Sequence, residues 1–171
     1  RDAGHILGSA FANIKITRND TTRKILFSGD IGGPNRPILN DPDQVYEVDY
    51  LVVESTYGNR LHGDKQSNRE EELAKAINDS VERGGILVIP AFAVGRTQEL
   101  LFHIRALEQS GAIPALPVYI DSPMAIKATA ITSHNKGGYD IEARMLILDG
   151  QEILETGNLI IAKSVEQSKA L

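Results

Sequence analysis

Residues 84–101 read GGILVIPAFAVGRTQELL, and this stretch decides the fold class that we predict. The apolar run at 85–90 is typical of a buried strand. The period then changes, and apolar residues recur at helical spacing over 97–110 until Gly111. Four of them are predicted to face inward: Leu100, Leu101, Ile104 and Leu107. The stretch therefore predicts a strand followed directly by a helix.

A second helix is predicted before this stretch. Residues 67–70 (SNRE) match a capping box, in which serine and glutamate side chains bond the first free N–H groups of a helix. Leu73, Ile77 and Val81 then recur at helical spacing, and Gly84 ends the pattern.

The alternation continues after the decisive stretch. Residues 117–121 predict another strand, and Pro123, after Ser122, predicts the first position of a helix. A weaker helical pattern covers 141–148, and Ser164 begins a further helix-start pattern. Strands that alternate with helices predict an α/β fold with a mostly parallel sheet.

The first part of the chain has a strand pattern instead. Residues 12–17 alternate between polar and apolar, 19–22 supply turn residues, and 23–28 follow as a second strand. We expect a hairpin that is half covered by other elements. Residues 50–53 form an uninterrupted apolar run, which predicts a buried strand.

Composition excludes several classes of protein. The 171 residues include no cysteine, so a disulfide framework and a thiolate metal site are both excluded. No apolar run is long enough for a membrane span, and the N-terminal residues do not resemble a signal peptide. The default expectation is a cytoplasmic protein. The net charge of −5 opposes a basic nucleic-acid surface, although bound dications would supply positive charge locally.

Three side chains at strand ends are candidate metal ligands or catalytic groups. His5 lies among small residues in 2–10, and Asp30 lies between glycines after an apolar strand. Glu54 follows the run at 50–53, where α/β sheets place their ligand sites. Imidazole and carboxylate are good zinc ligands. Taken alone, a histidine such as His5 beside glycine is more often capped or solvated, and an aspartate such as Asp30 before glycine is usually a turn residue. For Glu54, spacing does not decide between a ligand-site acid and a loop or helix cap.

Other polar residues have simpler interpretations. Arg96 stands at the predicted helix start, where N–H groups can hold an anion, but an exposed or acid-paired arginine is the preferred reading. His103 falls beside apolar helix positions and is assigned a packing or surface role, and His134 is assigned to a helix end. For His62 the sequence favours no particular role.

Five segments in order carry a family resemblance. They are DAGHILGSA at 2–10, FSGDIG at 27–32, ESTYGNRLH at 54–62, GGILVIPAFAVGRTQELL at 84–101 and IDSPMA at 120–125. Together they resemble the β-CASP branch of the metallo-β-lactamase superfamily. The resemblance implies that 1–57 form the C-terminal part of the first metallo-β-lactamase segment, of αββα fold. Residues 58–171 would form a β-CASP domain, incomplete at its C-terminus, with a mainly parallel sheet flanked by helices.

The same resemblance implies a zinc-dependent nuclease. His5 matches a zinc ligand, Asp30 a catalytic aspartate that bridges two zinc ions, and Glu54 a catalytic-site acid that bonds a histidine in relatives. The family's His-x-His-x-Asp-His segment is absent from these residues, and both chain ends look cut. We therefore expect two zinc ions in a full-length protein, but weak or no zinc binding and little or no hydrolysis by this chain alone.

The implied substrate is single-stranded RNA, with a homodimer as a further possible partner and no membrane. The ESTYG and GRTQEL forms resemble the RNA-processing branch rather than the DNA branch. An alternative is a non-catalytic RNA-binding or assembly subunit of the same family. A thioesterase of the superfamily would not be expected to carry these two segments.

Overall fold

A computed structural model describes residues 1–60 and 69–171. The chain divides into two compact units, the first comprising Arg1–Leu61 with Gly137–Arg144 and the second His62–Lys136 with Met145–Leu171. Helices and strands are both present, so the α/β class is confirmed. Within the described ranges the longest helices have 14 residues, and no helix could cross a membrane.

A three-stranded mixed sheet organises the first unit. Strands β1 (Ala12–Arg18) and β2 (Thr21–Phe27) are antiparallel, and β3 (Tyr50–Val52) runs parallel to β2. Asn19 and Asp20 join the hairpin with φ of 47° and 63°. Two left-handed residues suit the natural twist of a hairpin, which explains the asparagine and aspartate found there. The predicted hairpin and third strand are confirmed.

The predicted burial is wrong for β1 and β3, whereas Leu26 of β2 is buried. All seven residues of β1 are exposed, with Ile14 at 45% and Ile16 at 51%. The β3 side chains are between 52% and 57% exposed. Alternation within a strand specifies its two faces, but burial requires a second layer packed on one of them, and the strand's own sequence does not supply that layer.

Two helices form the first buried core of the second unit. They are α1 (Arg69–Glu82) and α2 (Arg96–Gln109), and both were predicted. The buried cluster consists of Ile77, Ile104, Leu107 and Ile113. Val81, which shares the helical spacing of Leu73 and Ile77, is 41% exposed and lies in the last turn of its helix. The predicted capping serine at position 67 lies outside the described residues.

The second unit also has a parallel strand pair. Strand β4 (Pro117–Ile120) was predicted from the sequence. It pairs with β5 (Asn158–Ile161), a strand that was not predicted. Helix α3 (Pro123–His134) begins as predicted, with Ser122 Oγ accepting a hydrogen bond from Ala125 N at 3.2 Å. Leu101, Ile120 and Ala125 form the second buried cluster.

Three short helical elements complete the described structure. They are the 3-10 helix Lys136–Gly138, α4 (Ile141–Leu148) and α5 (Val165–Ser168). The predicted pattern at 141–148 and the helix start at Ser164 are both confirmed. Ser164 Oγ accepts a hydrogen bond from Gln167 N at 3.2 Å, which caps α5.

The buried strand predicted at 85–90 is wrong. These residues form no strand, and Ile86 and Val88 are 81% and 79% exposed. An apolar run favours a strand only where a neighbouring backbone pairs with it, and no described strand is in register with this run. The stretch at 84–101 therefore predicted helix α2 correctly, but the strand predicted before it does not form.

Candidate functional site

The His5 loop is held by backbone hydrogen bonds rather than by its imidazole. Ser9 Oγ accepts from His5 N at 3.1 Å and from Ile6 N at 3.3 Å. Arg36 Nη1 donates to the His5 carbonyl at 2.9 Å, and Ala3 N donates to Ser9 O at 3.1 Å. Because the main chain is satisfied in this way, the His5 side chain is left available, with 41% of its surface exposed.

The Asp30 loop lies directly against the His5 loop. Gly32 N donates to Ala3 O at 2.8 Å. A Cβ placed on Gly32 would lie 1.8 Å from the Gly4 carbonyl oxygen, a separation no side chain could occupy. The two loops therefore meet backbone to backbone, and glycine is required at position 32 for this approach.

This contact brings together the two predicted metal ligands. His5 Nε2 lies 3.8 Å from Asp30 Oδ2, and the Asp30 side chain is 74% exposed. The separation is too long for a hydrogen bond. It is close to the spacing of two ligands on one tetrahedral zinc, which is about 3.4 Å when each ligand is about 2.1 Å from the metal. The pair therefore fits two corners of a zinc site.

Glu54 lies beside these loops and binds backbone groups. Its Oε1 accepts from Ile31 N at 2.8 Å, and its Oε2 accepts from Thr56 N at 3.4 Å. The hydrogen bond from Ile31 lowers the pKa of Glu54, and Thr56 and the nearby His5 lower it further. Glu54 is therefore ionised well below neutral pH and places a negative charge near His5.

The described residues supply only part of a metal site. In 1–60 and 69–171, no group of three His, Cys, Asp or Glu side chains is placed to hold a metal ion. A catalytic zinc needs at least three protein ligands. The geometry fits one imidazole and one carboxylate of such a site, and further ligands would have to come from elsewhere.

The start of α2, the less favoured candidate for an anion site, is not open. Arg96 Nη1 donates to Glu99 Oε1 at 2.9 Å, so the preferred acid-paired reading is confirmed. The first N–H groups of the helix are also engaged, Arg96 N with Val94 O and Thr97 N with Phe92 O, both at 3.2 Å.

Two of the remaining histidines have the roles that the sequence suggested. His103 Nδ1 lies 2.8 Å from Glu70 Oε1, and its ring packs edge-on against Phe102. His134 is the last residue of α3 and bonds the Ala130 carbonyl at 2.7 Å. His62 lies outside the described residues.

Two serines that support the site were not identified from the sequence. Ser28 is 3% exposed, and its Oγ donates to Gly29 O at 2.6 Å and accepts from Glu54 N at 3.1 Å. Ser9 holds the His5 loop as described above. The signal in the sequence was a small hydroxyl residue near each candidate ligand, since Ser9 follows His5 by four residues and Ser28 precedes Asp30 by two. The bonded partner of Ser28 could not be found in this way, because it lies 26 residues away.

Known proteins resemble this chain over most of its length. The Beta-Casp domain family matches residues 97–171. An "RNase J-like protein" of Methanocaldococcus jannaschii is 39% identical over 132 residues, which are 76% of this chain and 30% of that protein. "Ribonuclease TTHA0252" of Thermus thermophilus is 31% identical over 169 residues, which are 99% of this chain and 38% of that protein.

A third relative is named as a transcription termination factor rather than as a ribonuclease. "Transcription termination factor FttA" of Methanosarcina mazei is 37% identical over 149 residues, covering 85% of this chain and 23% of that protein. The chain belongs to the β-CASP family of the metallo-β-lactamase superfamily. It spans about a third of the length of the first two β-CASP relatives, at 30% and 38%.

Within this β-CASP chain, the predicted site residues fall into two groups. His5, Asp30 and Glu54 converge in the first unit, although they come from three separate segments of the sequence. Arg96 belongs to the second unit, where it is paired with Glu99.

Proposed function

We propose that this chain is part of a zinc-dependent nuclease that hydrolyses phosphodiester bonds of single-stranded RNA. The observation that carries the proposal is the 3.8 Å approach of His5 Nε2 and Asp30 Oδ2 on two loops in backbone contact. Two relatives are named as an RNase J-like protein and a ribonuclease, which supports RNA as the proposed substrate.

The domain assignment is also a proposal. Residues 1–57 would belong to a metallo-β-lactamase αββα domain, and residues 58–171 to the β-CASP domain. The family match at 97–171 lies inside the second range and supports it. The lack of cysteine favours the cytoplasm as the location.

Each site residue has a distinct role in this proposal. His5 would offer the lone pair of Nε2 to a metal, and Asp30 would offer its two oxygens, enough to bridge a pair of ions. Glu54 would stay ionised, hold the Asp30 loop through Ile31 N and add negative potential that attracts dications. When bound, a zinc pair supplies an activated water and stabilises charge on the phosphate oxygens.

The decisive experiment measures cleavage by the full-length protein on matched single-stranded RNA and DNA. His5→Ala and Asp30→Asn should each lower RNA cleavage by at least about 100-fold, because even outer partners of metal ligands are worth about 10–100-fold. His103→Ala is the matched control, since His103 belongs to the second unit and pairs there with Glu70, and it should keep full activity. Equal activity of His5→Ala and wild type would refute the assignment of His5.

A second experiment concerns the 171-residue chain alone. With only two donors in its described residues, it should bind zinc weakly and should not hydrolyse RNA. Calorimetric titration with zinc tests this, and tight stoichiometric binding would contradict it. Light scattering on the full-length protein tests the predicted homodimer.

We keep a second candidate, a non-catalytic RNA-binding or assembly subunit of the same family. The cleavage assay separates the two candidates. RNA binding by the wild-type full-length protein without any zinc-dependent cleavage would favour the subunit.

A further inference from the structure

Ser28 links the two segments that carry the carboxylates of the site. Its side chain is almost fully buried, and its N–H donates to Val52 O at 3.0 Å, so its backbone continues the pairing of β2 with β3. The hydroxyl has two partners: it donates to Gly29 O at 2.6 Å and accepts from Glu54 N at 3.1 Å. One oxygen thus joins the segment before Asp30 to the segment that carries Glu54.

A second hydrogen bond joins the same segments on the other side of Asp30. Glu54 Oε1 accepts from Ile31 N at 2.8 Å. Together the two hydrogen bonds close a ring, which we call the Ser28 clamp. In the clamp, Glu54 N donates to Ser28 Oγ, and Ile31 N donates to Glu54 Oε1. Asp30 lies between the two attachment points, and its side chain remains 74% exposed.

We propose that Ser28 is a positioning residue that, through the Ser28 clamp, sets the Asp30 carboxylate at its distance from His5. The inference rests on the proposed function, because Asp30 must act as a metal ligand for its placement to affect zinc binding. Gly29 has φ of +55°, a left-handed conformation that lets the chain turn sharply between Ser28 and Asp30. A hydroxyl suits position 28 because it donates and accepts at once, which neither alanine nor any apolar side chain can do.

Alternative explanations of the buried serine predict different behaviour. If Ser28 only stabilised the fold, its removal would lower stability without a specific effect on metal binding. If it positions Asp30, removal should loosen residues 29–31 relative to His5 and weaken metal binding more than the change in stability explains. Residues that orient metal ligands typically contribute about 10–100-fold to affinity or activity.

The test compares three variants of the full-length protein: Ser28→Ala, Ser28→Thr and Ser122→Ala. Ser28→Ala removes both hydroxyl bonds, whereas Ser28→Thr keeps a hydroxyl and should restore wild-type behaviour. Ser122→Ala is the matched control, because it also removes one serine hydroxyl bond to a backbone N–H, at the start of α3. Zinc affinity is measured by calorimetry, and amide hydrogen exchange at Glu54 and Ile31 by NMR.

The expected result is a loss of about 10-fold in zinc affinity for Ser28→Ala, with faster amide exchange at Glu54 and Ile31. In the RNA assay, kcat should fall while KM stays the same, since the substrate itself is not contacted. Ser122→Ala should leave zinc affinity and kcat unchanged.

Each other outcome has a distinct meaning. Unchanged zinc affinity in Ser28→Ala, beside a wild-type protein that binds zinc and cleaves RNA, would overturn the role of Ser28 alone. A loss of affinity in Ser122→Ala as large as in Ser28→Ala would also overturn it, because stability would then explain both. A wild-type protein that neither binds zinc nor cleaves RNA would overturn the proposed function, and the positioning role with it.

Discussion

The loops around His5 and Asp30 and the segment at the start of α2 both combine glycine with polar side chains, but they use those side chains differently. In the loops, backbone groups and serine hydroxyls make the contacts, and the His5 and Asp30 side chains stay 41% and 74% exposed. At the start of α2, Gln98 and Glu99 are buried and bonded within the fold.

This difference separates a site from a structural motif. A side chain that binds a ligand must keep its ligating atom free, so its position has to be set by contacts of its other atoms and by the main chain around it. A polar side chain that is buried must instead be satisfied by the fold, because an unpaired buried group costs about 1–3 kcal/mol. The comparison predicts that substitutions in the two regions affect different measurements.

The largest effect is expected from Gly32→Ala, at the contact between the two loops. The added Cβ would overlap the Gly4 carbonyl, so the loops must separate. We expect a loss of about 3 kcal/mol, the upper end of overpacking costs, measured by urea unfolding followed by circular dichroism. Gly33→Ala is the control: a Cβ there meets nothing within 4 Å, and the change should stay within about 0.5 kcal/mol. Equal losses of stability in Gly32→Ala and Gly33→Ala would contradict the backbone contact between the two loops.

Gln98→Ala should have the next largest effect. Its Oε1 accepts from Gly95 N at 2.7 Å, and its Nε2 donates to Thr129 Oγ1 at 2.8 Å and to Ala93 O at 3.2 Å. Removing these bonds in a buried place should cost about 2 kcal/mol in the same unfolding assay.

The matched control is Gln109→Ala, the exposed last residue of the same helix, with an expected change below about 0.5 kcal/mol. If full-length cleavage also fell in Gln98→Ala beyond what the stability loss explains, the segment would be more than a structural motif.

Arg96→Ala should cost less, about 1 kcal/mol. Its guanidinium is half exposed, so solvent screens the pair with Glu99, but Glu99 is 11% exposed and loses a partner. The cost should shrink in high salt. Lys75→Ala, which removes an exposed pair with Asp79 in α1, should cost less than Arg96→Ala, and a larger cost there would reverse the expected order.

The smallest effect concerns the pH dependence of Glu54. Its pKa is lowered in the folded chain, chiefly by the hydrogen bond from Ile31. The stability from this interaction is therefore complete above the ordinary pKa of glutamate and is lost as pH falls through the lowered pKa.

Urea unfolding of wild type and Glu54→Gln between pH 7 and pH 3 tests this sign. The two stabilities should differ most at pH 7 and converge in acid. A difference that grows on acidification would show that the Glu54 carboxylate is not held by Ile31.

Local sequence was enough to predict much of the secondary structure. The turn at Asn19 and Asp20 and the helix start at Ser122 were correct, and three of the four inward positions predicted for α2 are buried, because each depends on residues within one or two turns of the chain. Strand β5 was missed, and 85–90 was wrongly predicted as a strand, because strand formation depends on a distant partner.

The sequence by itself determined the family, through five ordered segments, and the identity of the candidate groups, one imidazole and two carboxylates. Only the tertiary structure decided which of them meet. His5 and Asp30 approach because Gly32 has no side chain, and Glu54 joins them because its carboxylate and N–H bond Ile31 and Ser28. These contacts link residues far apart in the chain, and their geometry depends on how whole loops pack, which no local pattern of residues encodes.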